Sequence, residues 1–175
     1  MQRSHVVAAL ALVLAGAAAG AFAARKLVID SATYSGKSPQ EAGATLLAAA
    51  QTLAESGTFE NIACGRVLYL SGSKNEGKAL FDRVLAGKHD GGDLIRIARV
   101  YAEAGEWAAA KPLFDQVVES APKDEDWLAE VGAAYVRAGD RARGEELYAR
   151  SLAQDPSNLR NALRMASAYL GIAAP

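Results

Sequence analysis

Residues 91–124 read GGDLIRIARVYAEAGEWAAAKPLFDQVVESAPKD, and residues 125–158 read EDWLAEVGAAYVRAGDRARGEELYARSLAQDPSN. The two stretches have equal length, and aromatic, small and proline residues recur between them in one register. The pairs, all separated by the same interval, are Ala98 and Gly132, Tyr101 and Tyr135, Gly105 and Gly139, Phe114 and Tyr148, and Pro122 and Pro156. A fixed period of this length indicates stacked structural repeats.

The same register continues towards both ends of the chain. Residues 58–90 form a less regular unit that lacks the closing proline but keeps Gly65, Gly72 and Phe81 in register. Residues 38–57 predict half a repeat, which Ser38-Pro39-Gln40-Glu41 opens as a capping box with proline at the first helical position. Residues 159–172 predict a capping helix that follows Asn158. The sequence therefore predicts eight helices and needs no strand.

Small residues occupy matching places in the two predicted helices of each unit. They are Gly65, Ala98 and Gly132 on the first helices, and Gly77, Ala110 and Gly144 on the second helices. A small side chain at both places lets two helix backbones approach closely. Such a helix pair cannot bury its apolar face alone, so the units must stack on one another.

Each unit resembles the tetratricopeptide repeat, a helix-turn-helix with aromatic, small and proline residues at fixed offsets and a similar period. The resemblance covers residues 38–172, with full repeats at 58–90, 91–124 and 125–158. It implies an all-α, right-handed solenoid. It also implies a role in protein–protein interaction, because this family binds extended peptides or helices in the concave groove that its first helices line.

Charge and composition exclude several other classes of protein. The chain has 19 Lys and Arg against 20 Asp and Glu, for a net charge of -1, so it lacks the basic surface of a nucleic-acid-binding protein. One Cys and two His can form neither an internal disulfide nor a structural zinc site of four Cys and His ligands. No cofactor-binding motif is present.

The N-terminal segment is typical of an exported protein. Arg3 precedes an apolar run from Val6 to Leu14, and small residues follow as far as Ala21 and Ala23, where a signal peptidase is expected to cleave. Residues 1–23 are therefore predicted to be a signal peptide and residues 24–37 a flexible leader, which places the protein in the periplasm or outside the cell. The alternative is an uncleaved inner-membrane anchor at residues 6–24, which is barely long enough to span a bilayer.

Single residues with reactive side chains have structural interpretations. Cys64 lies at a core position of a predicted helix, where a free cysteine behaves as a small apolar side chain. His89 belongs to His-Asp-Gly-Gly-Asp at 89–93, which predicts an inter-repeat turn with Asp90 or Asp93 as a helix cap. Trp107 and Trp127 are predicted to staple neighbouring repeats. No catalytic motif is present, and an enzyme remains only a remote alternative.

The predicted partner-binding groove follows the exposed face of the first helices. Its candidate residues are Phe59, Ile62, Arg66, Tyr69, Ile95, Arg99 and Arg160. Arg66 and Arg99 occupy equivalent positions of successive units and are predicted to bind acidic groups of a partner, while Ile62, Tyr69 and Ile95 give apolar contact. In the alternative interpretation, Glu103 and Glu130 balance the two arginines.

The sequence thus predicts a periplasmic adaptor or assembly factor that binds another protein, with acidic peptide segments as candidate ligands. Neither nucleic acid nor a cofactor is expected as a partner, and contact with a membrane is expected only if the N-terminal segment stays attached. The alternative is a structural envelope protein that associates with itself through its exposed terminal helices.

Overall fold

The computed structural model describes residues 27–173, and this part of the chain is all-helical, as predicted. Residues 27–30 have no regular structure, and one 3-10 turn spans Ser31–Thr33. Eight α-helices follow, which confirms the predicted number within residues 27–173. They are α1 (Pro39–Ala54), α2 (Thr58–Leu70), α3 (Lys74–Ala86), α4 (Gly91–Glu103), α5 (Trp107–Ser120), α6 (Glu125–Arg137), α7 (Arg141–Leu152) and α8 (Leu159–Tyr169).

The helices pack as a repeat solenoid. The first helices α2, α4 and α6 pair with the second helices α3, α5 and α7, while α1 packs against α2 at one end and α8 packs against α6 at the other. Each pair turns through a glycine with a positive φ, namely Gly72, Gly105 and Gly139. These glycines are equivalent positions, and a residue with a Cβ is strained in that conformation.

The two helices of a unit are as close as the small residues predict. A Cβ at Gly77 would lie 2.7 Å from the carbonyl oxygen of Gly65, and a Cβ at Gly144 would lie 2.7 Å from that of Gly132. Both obstacles are backbone atoms of the facing helix, which cannot rotate away. The recurring glycines are therefore required by the helix–helix distance.

Aromatic and branched side chains fill the space between the units. Phe81, Ile97 and Phe114 are completely or almost completely buried, and so are Leu128 and Tyr135 further along the stack. They belong to one continuous cluster that runs through the three helix pairs. Two smaller clusters lie at the ends, one between α1, α2 and α3 and one between α6 and α8. The core therefore extends along the stack, as stacked repeats require.

Side-chain caps fix the beginnings of several helices. Glu41 and Ser38 form the predicted capping box, in which the Ser38 N–H donates to Glu41 at 3.0 Å. Asp90 and Asp93 form a second box at the start of α4, and Asn158 caps α8 as predicted. These caps satisfy N–H groups that the first turn of a helix leaves unpaired.

The glycines after Asp90 differ from the prediction. Gly91 and Gly92 lie in the first turn of α4 and not in the inter-repeat turn. The ring of Trp127 covers Gly91, where a Cβ would lie 2.3 Å from a ring carbon. The capping box of Asp90 and Asp93 begins α4 at Gly91, and the close approach of the Trp127 ring requires a residue without a side chain there.

The predictions for the N-terminal segment lie outside the described residues. They comprise the signal peptide at 1–23, the cleavage site at Ala21 and Ala23, and the alternative anchor at 6–24. Within residues 27–173, no helix is long and apolar enough to cross a membrane.

Candidate partner-binding groove

Two adjoining hollows lie along the face that the first helices form. The larger has a volume of about 660 Å³ and lies between α4, α6 and α8, with α5 beneath it. The smaller has a volume of about 230 Å³ and lies between α2 and α4. Arg99 and Glu103 line both hollows, so the two join into one groove across the stack.

The larger hollow has an apolar floor and charged walls. Trp107 and Phe114 contribute to the floor, with ring centroids 5.9 Å apart, and Ala134 lies beside them. The walls carry the cations Arg99, Arg137 and Arg164 and the anions Glu103 and Glu130. A hollow with this lining can hold an apolar side chain next to an acidic one.

Trp107 has two roles in this arrangement. Its ring packs edge-on against Tyr135 of the next unit at a centroid distance of 5.0 Å, which is the predicted stapling contact. The half-buried ring also lines the hollow. The floor of the hollow is therefore built from side chains that also pack between the units.

A ladder of ion pairs crosses the groove between neighbouring units. Arg66 on α2 binds Glu103 on α4 in a bidentate manner, with Nη2 at 2.6 Å from one oxygen and Nε at 3.0 Å from the other. Arg99 on α4 pairs with Glu130 on α6. Glu130 also lies 3.6 Å from Arg164 on α8, so one carboxylate faces two cations.

The ladder changes the interpretation of Arg66 and Arg99. The side chains of Arg66 and Arg99 are 51% and 57% exposed, but each guanidinium group already has a carboxylate partner. A carboxylate of a partner protein would have to displace Glu103 or Glu130 from them. The structure thus shows the pairing of the alternative interpretation, in which these two arginines are balanced within the chain.

Arg137 is the cation that the sequence analysis missed. It lines the larger hollow, and among residues 27–173 it has no side-chain hydrogen bond or ion pair. Partial burial and the neighbouring charge of Arg164 lower the pKa of Arg137, while Glu130 opposes the shift. The available signal was its register, because Arg137 occupies the position equivalent to Glu103 in the next unit and reverses the charge there.

Three of the predicted groove residues belong to the core. Ile62, Tyr69 and Ile95 are only 3%, 5% and 4% exposed, so they do not offer the predicted apolar contact surface. They lie where α2 and α4 pack side by side, which closes the seam between the first two units. Ile62 still borders the smaller hollow from below.

The hydroxyl of Tyr69 ties the first two full units together. It donates to Glu106, which also accepts a hydrogen bond from Lys74 at 2.5 Å. Burial, followed by the contact with the Glu106 carboxylate, raises the pKa of Tyr69 to about 12. The bond to Lys74, then that to Tyr69, lowers the pKa of Glu106. This cluster serves packing and not the groove.

The two remaining candidates are exposed. Phe59 is 57% exposed, and the guanidinium of Arg96 lies 5.2 Å from its ring centre in a cation–π contact. Phe59 and Arg96 both line the smaller hollow, which gives that hollow an aromatic rim. Arg160 is exposed on α8 but lines neither hollow.

The reactive residues outside the groove have the predicted surroundings. Cys64 is buried at 6% exposure beside Ala54 and Leu80, and burial raises the pKa of its thiol. His89 is exposed, and its Nδ1 lies 3.0 Å from the carbonyl oxygen of Gly87. No cluster of three or more His, Cys, Asp or Glu suited to a metal ion occurs within residues 27–173.

Neither the protein-family models nor the curated protein sequences give a match to this chain.

Proposed function

We propose that this protein is an exported adaptor or assembly factor that holds a segment of a partner protein in the groove over α4, α6 and α8. The observation that carries the proposal is the 660 Å³ hollow with an aromatic floor and an arginine free of ion pairs among the described residues. The proposed role is binding without catalysis. The resemblance of the repeat register to the tetratricopeptide family supports the same role.

The lining indicates the chemistry of the bound segment. Arg137 can donate two parallel hydrogen bonds to a carboxylate, and Arg164 lies close enough to influence its pKa. Trp107 and Phe114 give the apolar surface beside this cation. The ligand is therefore an extended or helical segment in which an acidic residue adjoins an apolar one. In this proposal, Arg137 is the cation that anchors the partner, in place of Arg66 and Arg99.

The proposed compartment is the periplasm or the exterior of the cell, which the pattern of residues 1–23 supports. If that segment is retained, the groove would act at the surface of the inner membrane. The partner is then another exported protein or the exposed part of a membrane complex.

Selection from a displayed random peptide library tests the chemistry of the groove. We expect the selected peptides to share an acidic residue next to an apolar one, and replacing the acidic residue by its amide should weaken binding about tenfold or more. That loss corresponds to one charge-assisted hydrogen bond of roughly 2 kcal/mol. Arg137→Glu should abolish binding of the same peptides.

Arg160→Glu is the matched control, because it makes the same charge change at an exposed position outside both hollows. It should leave the affinity within about twofold. Equal losses from the two variants would show that only the overall charge matters. Selected peptides without a shared acidic residue would overturn the proposed ligand chemistry.

Photo-crosslinking in cells tests the groove as the site of partner contact. A crosslinking amino acid at Ala138 lies on the rim of the larger hollow, whereas one at Ala149 is exposed on α7 and lines neither hollow. A discrete product at Ala138 that is absent at Ala149 and lost with Arg137→Glu supports the adaptor. Identical products at both positions contradict a role for the groove.

A further inference from the structure

The two ends of the solenoid are complementary halves of a repeat. At one end, α1 occupies the place of a second helix, and no first helix within the described residues pairs with it. At the other end, α8 occupies the place of a first helix, and no second helix follows it within those residues. A first and a second helix together make one unit.

On α8, the side that pairs with a second helix is open. Ala162 and Ala166 are both exposed. The equivalent positions on α6, one repeat earlier, are both buried: Leu128 and Gly132. The same helix face is thus covered inside the stack and uncovered at its end.

On α1, the position that receives a first helix is also open. Gly43 is equivalent to Gly77, where a Cβ would collide with the backbone of α2 at 2.7 Å. A Cβ at Gly43 would meet no atom within 4 Å, so neither the 3-10 turn nor any other described segment covers it. Leu46, Leu47 and Ala50 are partly exposed, whereas their equivalents on α3 are buried.

Each end of the solenoid exposes the helix surface that the other end lacks as a partner. Inside the stack, the small residue of a second helix faces the small residue of a first helix, as Gly144 faces Gly132. Gly43 on α1 and Ala166 on α8 are the unpaired members of this contact. The remaining charges do not oppose this contact, because α8 carries the exposed Arg160 and no acidic residue, whereas α1 carries only Glu41, which caps its own helix, and no basic residue.

We propose that copies of this chain associate head to tail, with α8 of one copy packing against α1 of the next. The junction then forms a complete helix pair, with Ala166 against Gly43, and the solenoid continues from copy to copy. Such an interface uses different surfaces on its two sides. It therefore generates either a closed ring or an extending filament and not a symmetric dimer.

Two single substitutions test this proposal with the full chain, purified in the form that the host cell produces. Ala166→Arg blocks the α8 side, and Gly43→Arg blocks the α1 side. Both positions are exposed in the isolated chain, so both variants should fold with the native helicity, and Gly43→Arg should be no less stable than the native monomer. Ala149→Arg, which adds the same side chain at an exposed position of α7, is the matched control.

Sedimentation velocity at increasing concentration gives the readout. The native chain and Ala149→Arg should form species larger than a monomer, and each blocked variant alone should stay monomeric. An equimolar mixture of Ala166→Arg and Gly43→Arg should form a dimer and nothing larger, because each variant supplies the one surface that the other lacks.

Three results would overturn the proposal. A native chain that stays monomeric at every concentration has no such junction. Gly43→Arg that dimerises alone, while Ala166→Arg does not, indicates a symmetric contact between two α8 helices. Larger species that persist in both variants place the contact elsewhere on the molecule. Failure here leaves the groove untouched, since neither residue lines a hollow.

Discussion

The interior of the solenoid and its two ends carry the same residue types in the same register, but their surroundings differ. Phe81 is fully buried between two units, whereas Leu47, its equivalent on α1, is partly exposed and Leu170 beyond the last helix is 72% exposed. Gly77 lies against a facing backbone, whereas Gly43, its equivalent on α1, faces open space. The comparison shows that a repeat position acquires its energetic role from the neighbouring unit and not from its own sequence.

The largest difference in stability between the interior and the end is expected when a large side chain is removed from each. Phe81→Ala should lower the free energy of unfolding by about 3–5 kcal/mol, because it leaves a cavity bordered by Tyr69 and Tyr101. Leu170→Ala should change it by less than about 0.5 kcal/mol. Urea denaturation followed by circular dichroism measures both. Similar losses from the two variants would mean that the end is as well packed as the interior.

The helix pattern was predictable from the sequence because backbone contact dictates it. Gly77 and Gly144 must lack a Cβ at the observed distance between the helices. Glycine therefore recurs at this position of the repeat, and the recurrence can be recognised in the sequence. The capping box at Ser38 is equally local, since its bonds join residues three apart. These features need no knowledge of how one unit is rotated relative to the next.

The chemistry of the groove was less predictable because it depends on that rotation. Arg66 pairs with a residue 37 positions ahead, but Arg99, its equivalent, pairs with one 31 positions ahead. No single period gives both pairs. The burial of Ile62 and Ile95 likewise follows from how closely α2 and α4 pack, which the register does not specify.

Replacing equivalent glycines by alanine compares the interior with the end through a change in stability of intermediate size. Gly144→Ala should destabilise the fold by roughly 1–3 kcal/mol, because the new Cβ would lie 2.5 Å from a Val136 methyl carbon and 2.7 Å from the Gly132 carbonyl oxygen. In dilute protein, where the copies are separate, Gly43→Ala should instead stabilise the fold by about 0.5–1 kcal/mol, because no atom of the described residues lies within 4 Å of the new Cβ and alanine favours a helix interior. Urea titrations of the two variants should therefore give midpoints on opposite sides of the native one.

If Gly43→Ala is also destabilising, a segment outside the described residues or another copy of the chain covers α1. Dilution separates these two explanations. Only a contact between copies weakens as the protein concentration falls.

The smallest expected difference in stability between the interior and the end comes from two tyrosines. This difference depends on pH. Tyr69 in the interior and Tyr169 at the end each donate to a glutamate of a second helix or its cap, with a cation 5.6 Å and 5.3 Å from the ring centre. Burial is the main cause that raises the pKa of Tyr69 to about 12, whereas for Tyr169 the bond to Glu145 comes first. Tyr69 should thus be the more resistant to deprotonation.

The sign of the effect follows from the raised pKa of the folded state. The stability that Tyr69 contributes is fully present below the ordinary tyrosine pKa of about 10, and it is lost as the pH rises through about 12. Tyr69→Phe should lower stability by roughly 1 kcal/mol at neutral pH, through loss of one hydrogen bond. It should also remove part of the decline above pH 10, and Tyr169→Phe should change that decline less. Ultraviolet titration of phenolate absorbance, with each variant subtracted from the native chain, assigns the two pKa values, and equal values would remove the distinction between interior and end.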